Sequence, residues 1–207
     1  MSKHVLKLFF VSLIFLAASC APKRIAVPSF EGRAFNDLLS EKSGISSIDA
    51  KVAILFEKNG SEIRGDAALD VAKTGDISLR VYSLGFLAME ITSRNGRVKS
   101  DPVLDRGKKA ILTRGLRDCL FWWDIKDYLI SDEGGYYILK NPEREIWIDK
   151  KTFLPDRQTI RFEDGRVLYV FYSEPANDGD SWYQSKIRIE LSKYAVTLTI
   201  KKMAFKS

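Results

Sequence analysis

The chain has 207 residues, of which 45% are hydrophobic and 29% charged. This composition suits one globular domain with its own core and excludes a disordered or fibrous chain. The formal net charge is +6, and it falls to +4 without Lys3 and Lys7 near the start. Apart from Lys108-Lys109 and Lys201-Lys202, the basic residues are scattered, so the sequence predicts no nucleic-acid interface and allows attraction to anionic lipids.

The single histidine, His4, lies within the first 19 residues. Serine hydrolase triads, Cys-His pairs and His-rich metal sites all need histidine, so we expect neither an enzyme nor a metal or cofactor site in the rest of the chain. The two cysteines, Cys20 and Cys119, could form one disulfide. However, Cys119 lies in the apolar run DCLFWWDI and is predicted to be a buried, reduced hydrophobic residue.

Residues 1–19 are predicted to be a signal peptide. Basic residues precede an apolar run of 11 residues, 8–18, which is too short to span a bilayer as a helix. The run ends in Leu16-Ala17-Ala18-Ser19-Cys20, which resembles the bacterial lipobox, where small residues precede a cysteine that is lipidated and becomes the new N-terminus. The alternative is ordinary secretory cleavage after Ser19.

The resemblance to a lipobox implies an N-acyl diacylglycerol group on Cys20. This group carries several acyl chains, which together would anchor the protein permanently. Ala21, and not Asp, follows the cysteine. In a bacterium with two membranes, this implies sorting to the periplasmic face of the outer membrane. We therefore predict a signal peptide over 1–19, a lipidated tether over 20–29 and one folded domain over 30–207.

Most of that domain has the alternating pattern of β-strands. A short helix is predicted over 30–43, followed by alternating apolar residues in 48–56 and a hairpin turn at Asn59-Gly60. Further strands, joined by turns such as Asn95-Gly96 and Asp164-Gly165, bring the predicted total to ten or eleven. This number of short strands is typical of a β-sandwich or β-barrel.

The stretch Ile77–Thr92, ISLRVYSLGFLAMEIT, is predicted to form two half-buried antiparallel strands. Its turn is unusual because Leu84 and Phe86 flank Gly85, where hairpin turns normally carry polar residues. An apolar tip of this kind either packs under a neighbouring element or contacts something apolar outside the domain.

The run Leu116–Ile130, LRDCLFWWDIKDYLI, is predicted to be the longest helix, because apolar residues recur in it at helical spacing. A helix this apolar must be covered on two sides or lie across an apolar cavity. Trp122 and Trp123 could line a ligand site, although aromatic residues on a helix more often pack in a core.

Together these features resemble the LolB family of outer-membrane lipoproteins, which receive other lipoproteins from the periplasmic carrier LolA. The clearest match is RVYSLGFLAMEI, 80–91, which is similar to the family's strand, Pro-Leu-Gly loop and returning strand. Leu84 stands where the family has a protruding leucine that helps insert cargo into the membrane, and Ser83 replaces the proline. The run IRIELSKYAVTLTIKKM is similar to the family's closing hairpin.

The resemblance implies a mainly β fold, an incomplete antiparallel barrel with a helical lid, that encloses an apolar cavity for acyl chains. Leu84, Gly85 and Phe86 would form the membrane-insertion loop. The implied partners are membrane lipid, lipoprotein cargo and a LolA-like carrier, with the protein itself a monomer. The alternative is a scaffolding lipoprotein of the same fold that binds a protein partner and no lipid. The residues expected to line the cavity are Val52, Ile54, Leu69, Leu79, Val81, Met89, Ile91, Trp122 and Trp123.

Overall fold

The computed structural model describes Val27, Ser29 and residues 34–179 and 181–207. The expected signal peptide, Cys20 and the first residues of the helix predicted over 30–43 lie outside the described residues. Within them, no helix is both long and apolar enough to cross a membrane.

The described residues form twelve strands and a few short helices. The first helix, α1, spans Phe35–Ser43. A second helical stretch, which we call the lid, consists of α2 (Arg106–Ala110), a π-helical turn (Ile111–Gly115) and α3 (Leu116–Leu120). The strands are β1 (Ser47–Lys58), β2 (Ser61–Ala72), β3 (Ile77–Ser83), β4 (Phe86–Arg94), β5 (Arg97–Asp101), β6 (Leu129–Glu133), β7 (Tyr136–Lys140), β8 (Arg144–Asp149), β9 (Pro155–Arg161), β10 (Val167–Asp178), β11 (Ser181–Leu191) and β12 (Tyr194–Lys206).

All twelve strands belong to one antiparallel sheet with the order β5-β4-β3-β2-β1-β12-β11-β10-β9-β8-β7-β6. The first and last strands pair in the middle, from Ser47 opposite Lys206 to Lys58 opposite Tyr194. The two edges of the sheet are therefore β5 and β6, which are consecutive in the sequence and joined through the lid. This arrangement is an incomplete barrel with a helical lid, which confirms the fold that the family resemblance implied.

The core lies on the concave face of the sheet, under the lid. Alternate residues of β1, from Ile48 to Phe56, are buried, and the intervening residues are more exposed. The lid meets this surface with Ile111, Leu112 and Leu116, which are fully buried. An eight-stranded barrel is just wide enough to be filled by its own side chains, so a wider, open sheet needs an additional element inside it. Here the lid provides that element.

The predicted helix over Leu116–Ile130 is wrong in its bounds. The helical segment starts at Arg106, where Asp105 caps it by accepting a hydrogen bond from the Lys108 backbone N–H at 2.9 Å, and α3 ends at Leu120. Leu129 and Ile130 instead begin edge strand β6. After Leu120 the run is an irregular segment whose residues are buried on several sides. Its apolar residues therefore recur at a spacing that resembles that of a helix. With β6 included, the strand count is twelve, slightly above the predicted ten or eleven.

A buried arginine fixes the C-terminal end of the lid to the sheet. Arg144, at the start of β8, donates hydrogen bonds to the backbone carbonyls of Asp118 and Asp124, both at 2.9 Å, and to the Gln158 side chain at 2.7 Å. Burial lowers the pKa of Arg144, and the nearby Asp118 carboxylate opposes that shift. Arg117 donates to the Lys73 backbone carbonyl at 2.9 Å, which ties the lid to the end of β2 as well.

We expect Cys119 to be nearly inert in the folded protein. Its thiol is buried and lies 3.2 Å from the Leu116 carbonyl, and burial raises its pKa, so the reactive thiolate is scarce near neutral pH. A thiol reagent at pH 8 should therefore label the protein slowly, at a rate set by unfolding, whereas the same reagent in urea should label it at once. Fast labelling of the native protein would contradict this burial.

Candidate functional site

One apolar cavity lies between the concave face of β1–β4 and the N-terminal part of the lid. Its volume is about 160 Å³. Lys108 is the one charged residue in its wall; the full lining is Ile54, Phe56, Ile63, Val81, Ala88, Met89, Pro102, Leu104, Lys108 and Leu112. A cavity of similar size engineered into another protein stays dry and binds benzene. The space therefore suits an apolar group of about six carbon atoms.

Several chain reversals lie at the same end of the barrel as this cavity. In an antiparallel meander, alternate connections fall at the same end, which brings together the β1–β2 turn, the β3–β4 turn and the link from β5 to the lid. Two of these connections expose large apolar side chains. Leu84 is 95% exposed, Phe86 78% and Val103 91%, and Ile63 and Leu87 are also more than half exposed. A concentration of exposed apolar residues of this kind is typical of surfaces that contact another molecule or a membrane.

The β3–β4 turn holds Leu84 in a conformation that leucine rarely adopts. Leu84 has φ +52° and Gly85 φ +84°. The same pair of positive φ values occurs at Asn59-Gly60 and Asn95-Gly96, which are the residues that this turn type favours. A left-handed backbone costs a residue such as leucine about 1–2 kcal/mol. The chain thus keeps an exposed, apolar and strained residue where asparagine would fit better, and strain of this kind concentrates at functional sites.

The structure brings only some of the predicted cavity residues to the cavity. Ile54, Val81 and Met89 line it. Val52, Leu69, Leu79 and Ile91 face the same side of the sheet but are buried in the core cluster. Acyl-chain binding by any of these residues remains a prediction. The predicted insertion loop, Leu84–Phe86, is exposed. The alternative, in which the apolar tip packs under a neighbouring element, is not what the fold adopts.

Trp122 and Trp123 lie away from this cavity, in a turn just after the lid. Their rings meet edge to face, 5.6 Å apart, and the Lys42 ammonium lies 4.9 Å from the centre of the Trp123 ring. The gap beside the two tryptophans measures about 20 Å³, room for little more than one water molecule. The two rings therefore act as packing residues in this structure.

Sequence reasoning missed the cavity residues supplied by the lid and by the chain leading into it, Pro102, Leu104, Lys108 and Leu112. The helix start at Asp105 was the signal that could have found them, because an N-cap aspartate places the following turn on a helix. Gly107 lies against Tyr194, and a Cβ atom built on it would come within 2.6 Å of the ring. Glycine at this position is what allows the lid to approach β12 so closely.

Comparison with known proteins identifies the fold of this chain. No family model matches the chain, and no curated protein matches it. Among solved structures, a LolA superfamily protein from Nitrosomonas europaea superposes with a TM-score of 0.56 at 12% identity, over 85% of this chain and 95% of that one. A DUF1329 family protein from Desulfovibrio piger superposes with a TM-score of 0.58 at 13% identity, over 83% and 90% of the two chains.

This chain has a LolA/LolB-like fold. At 12% and 13% identity the likeness concerns the architecture alone. It agrees with the resemblance that the sequence suggested, an incomplete antiparallel barrel covered by helices.

We expect Leu84→Asn to stabilise the protein. Asparagine tolerates a positive φ better than leucine does, and the exposed side chain has little packing to lose, so the free energy of unfolding should rise by about 1 kcal/mol. The matched control is Asn95→Leu, which places leucine in the same turn geometry and should lower stability by a similar amount. Both are measured by urea denaturation. A clear loss of stability in Leu84→Asn would mean that Leu84 packs against the domain.

Proposed function

We propose that the protein is a membrane-anchored, LolB-like receptor that accepts a lipoprotein acyl chain in the apolar cavity and inserts it into the membrane through the loop at Leu84. The observation that carries this proposal is the position of the strained, exposed apolar loop at the same end of the barrel as the apolar cavity. Capture and release of this kind involve no covalent step, so the proposed role is that of a binding protein and not of an enzyme.

The hydrophobic effect can account for capture. Each buried methylene is worth about 0.8 kcal/mol, so the end of one acyl chain in a cavity of this size would gain several kcal/mol. The cavity holds about six carbon atoms, so the remainder of a longer chain would lie over exposed apolar residues near its mouth, such as Ile63 and Leu87.

The loop can account for delivery. Burying a leucine or phenylalanine side chain in the hydrocarbon region is worth about 1.5–3 kcal/mol, enough to bring the barrel end against a bilayer during a brief encounter. An acyl chain leaving the cavity would then meet hydrocarbon and not water.

The same proposal includes lipidation of Cys20 at the outer membrane and a LolA-like carrier as the donor of cargo. A Cys20→Ala variant should lose its permanent anchor, because a single surface loop gives only weak and reversible attachment. After a high-salt and carbonate wash, most of this variant should leave the membrane fraction, whereas the unaltered protein should stay. Equal retention of both proteins would show that lipid on Cys20 is not the anchor.

The transfer experiment separates capture from delivery. The probe is a fluorescent lipopeptide with an N-acyl diacylglyceryl cysteine, loaded on the protein and offered to phospholipid vesicles. Leu84→Asn should capture the lipopeptide normally, because Leu84 lies outside the cavity lining, and should deliver it at least tenfold more slowly. Met89→Trp, which fills the cavity, should capture at least tenfold less lipopeptide.

Two controls make the result specific. Leu129 is 79% exposed on edge strand β6, so Leu129→Asn removes another mostly exposed leucine elsewhere on the surface and should leave delivery unchanged. Leu129→Trp adds a tryptophan at the same exposed position on β6, outside the cavity, and should leave capture unchanged. Normal delivery by Leu84→Asn would contradict the role of the loop.

A second candidate function is that of a scaffolding lipoprotein that binds a protein partner and no lipid. The lid fills most of the barrel and leaves a cavity of only about 160 Å³ at this end. This small volume favours a role that involves no lipid. Absence of lipopeptide capture by the unaltered protein would support this candidate over the receptor.

A further inference from the structure

Three lysine side chains surround a pair of aromatic rings at the edge of the apolar cavity. The rings of Phe56 and Tyr194 lie 6.0 Å apart, and Phe56 is part of the cavity wall. The Lys108 ammonium lies 5.0 Å from the centre of the Phe56 ring, and those of Lys58 and Lys193 lie 5.5 and 5.6 Å from the centre of the Tyr194 ring. We call these three residues the lysine cluster.

None of the three lysines forms an ion pair with another residue in the part of the chain that the structure describes. Of the nearby carboxylates, Glu57 pairs with Arg188 at 2.5 Å, and Asp105 accepts hydrogen bonds from the Tyr194 hydroxyl at 2.7 Å and from the Lys108 backbone N–H at 2.9 Å. The Asp105 carboxylate also attracts the Lys108 ammonium, so it balances one of the three positive charges in part. Contact with aromatic faces satisfies an ammonium group only in part. The cluster therefore retains positive charge that is free to attract an anion.

A polar groove lies beside the lysine cluster. It has a volume of about 450 Å³ and shares Tyr194 and Lys193 with the cluster; Asp105, Arg106, Gly107, Arg166, Leu191 and Ser192 complete its lining. Arg106 and Arg166 both pair with Asp164, at 2.9 Å each. An apolar cavity with room for a chain end thus adjoins a polar groove with room for a headgroup, with the aromatic pair between them. Because both arginines are paired, Lys193 is the basic residue of the groove that forms no ion pair within the described residues.

We infer that this site binds an acyl lipid with an anionic headgroup, a phosphate or a carboxylate, whose tail enters the apolar cavity and whose head is held by Lys58, Lys108 and Lys193. The inference rests on the proposed function in one respect, since it places an acyl chain in the same cavity. It goes beyond that function because the headgroup determines affinity, and a lipid of this class would compete with lipoprotein cargo for the cavity.

The test compares amphiphiles that share a decyl tail. Decyl phosphate, decanoate and decyltrimethylammonium, each below its micellar concentration, are titrated by calorimetry into the full-length chain carrying Cys20→Ala, so that no covalent lipid can occupy the cavity. Exposed charge pairs contribute modestly, but three of them together should favour the two anions over the cation about tenfold. Inorganic phosphate alone should bind at least tenfold more weakly than decyl phosphate, because it lacks the tail.

The triple variant Lys58→Gln, Lys108→Gln, Lys193→Gln should reduce the preference for anions to less than about twofold. Its matched control, Lys51→Gln, Lys99→Gln, Lys151→Gln, removes the same charge from lysines that lie elsewhere and should keep the preference. The single variant Lys108→Gln should lower it partially, and it provides the measurement if the triple variant unfolds.

The outcomes distinguish this inference from the proposed function. Equal binding of anionic and cationic decyl compounds, or an equal loss in both triple variants, would overturn the inference and leave acyl capture intact. Binding of inorganic phosphate as tight as that of decyl phosphate would also overturn it, because the tail would then contribute nothing. Failure of every decyl compound to bind would overturn both the inference and acyl capture.

Discussion

The structure depends on the fact that its sheet does not close. The edges β5 and β6 are consecutive strands that do not pair with each other, so the chain between them must cross the open side of the barrel. That crossing becomes the lid, and its fully buried residues Ile111, Leu112 and Leu116 complete a core that the sheet alone could not fill. The cavity is the remaining space at one end, where the lid's first turns carry glycine and lysine instead of large apolar side chains.

Stability and the proposed activity make opposite demands at the β3–β4 turn. The two Asn-Gly turns of the same chain use the residues that their backbone geometry favours, whereas Leu84 accepts a left-handed conformation and exposes its side chain to water. Both features cost free energy in the isolated protein. A hydrocarbon phase that buries the side chain would offset the second cost. Contact with a membrane would therefore stabilise this loop relative to the free protein.

Period-2 alternation predicted the strands well because one face of each is covered and the other is not, as in β1 from Ile48 to Phe56. Helical periodicity failed after Leu120, since residues such as Phe121 and Trp123 are buried from several sides and do not follow one face of a helix. The loop could be predicted from its own residues. The cavity could not, because its lining joins four strands to the lid, and Lys108 gives no sign in the sequence that it lies over the Phe56 ring.

The two ends of the lid are held by different interactions, and this determines where the cavity can widen. Near its C-terminal end, Arg144 bonds to the carbonyls of Asp118 and Asp124, and Arg117 bonds to that of Lys73, so displacement there would leave buried polar groups unpaired at a cost of about 1–3 kcal/mol each. At the N-terminal end the polar contacts to the barrel are the hydrogen bond from Tyr194 to Asp105 and the largely exposed ion pair between Arg106 and Asp164. Apart from Lys108, the cavity lining there is apolar. An entering acyl chain would replace this apolar packing with packing of the same kind. If the protein binds acyl chains as proposed, a chain longer than six carbons would therefore be accommodated with the smallest loss of polar contacts by movement of α2 away from β1 and β4, at the end of the barrel that carries Leu84.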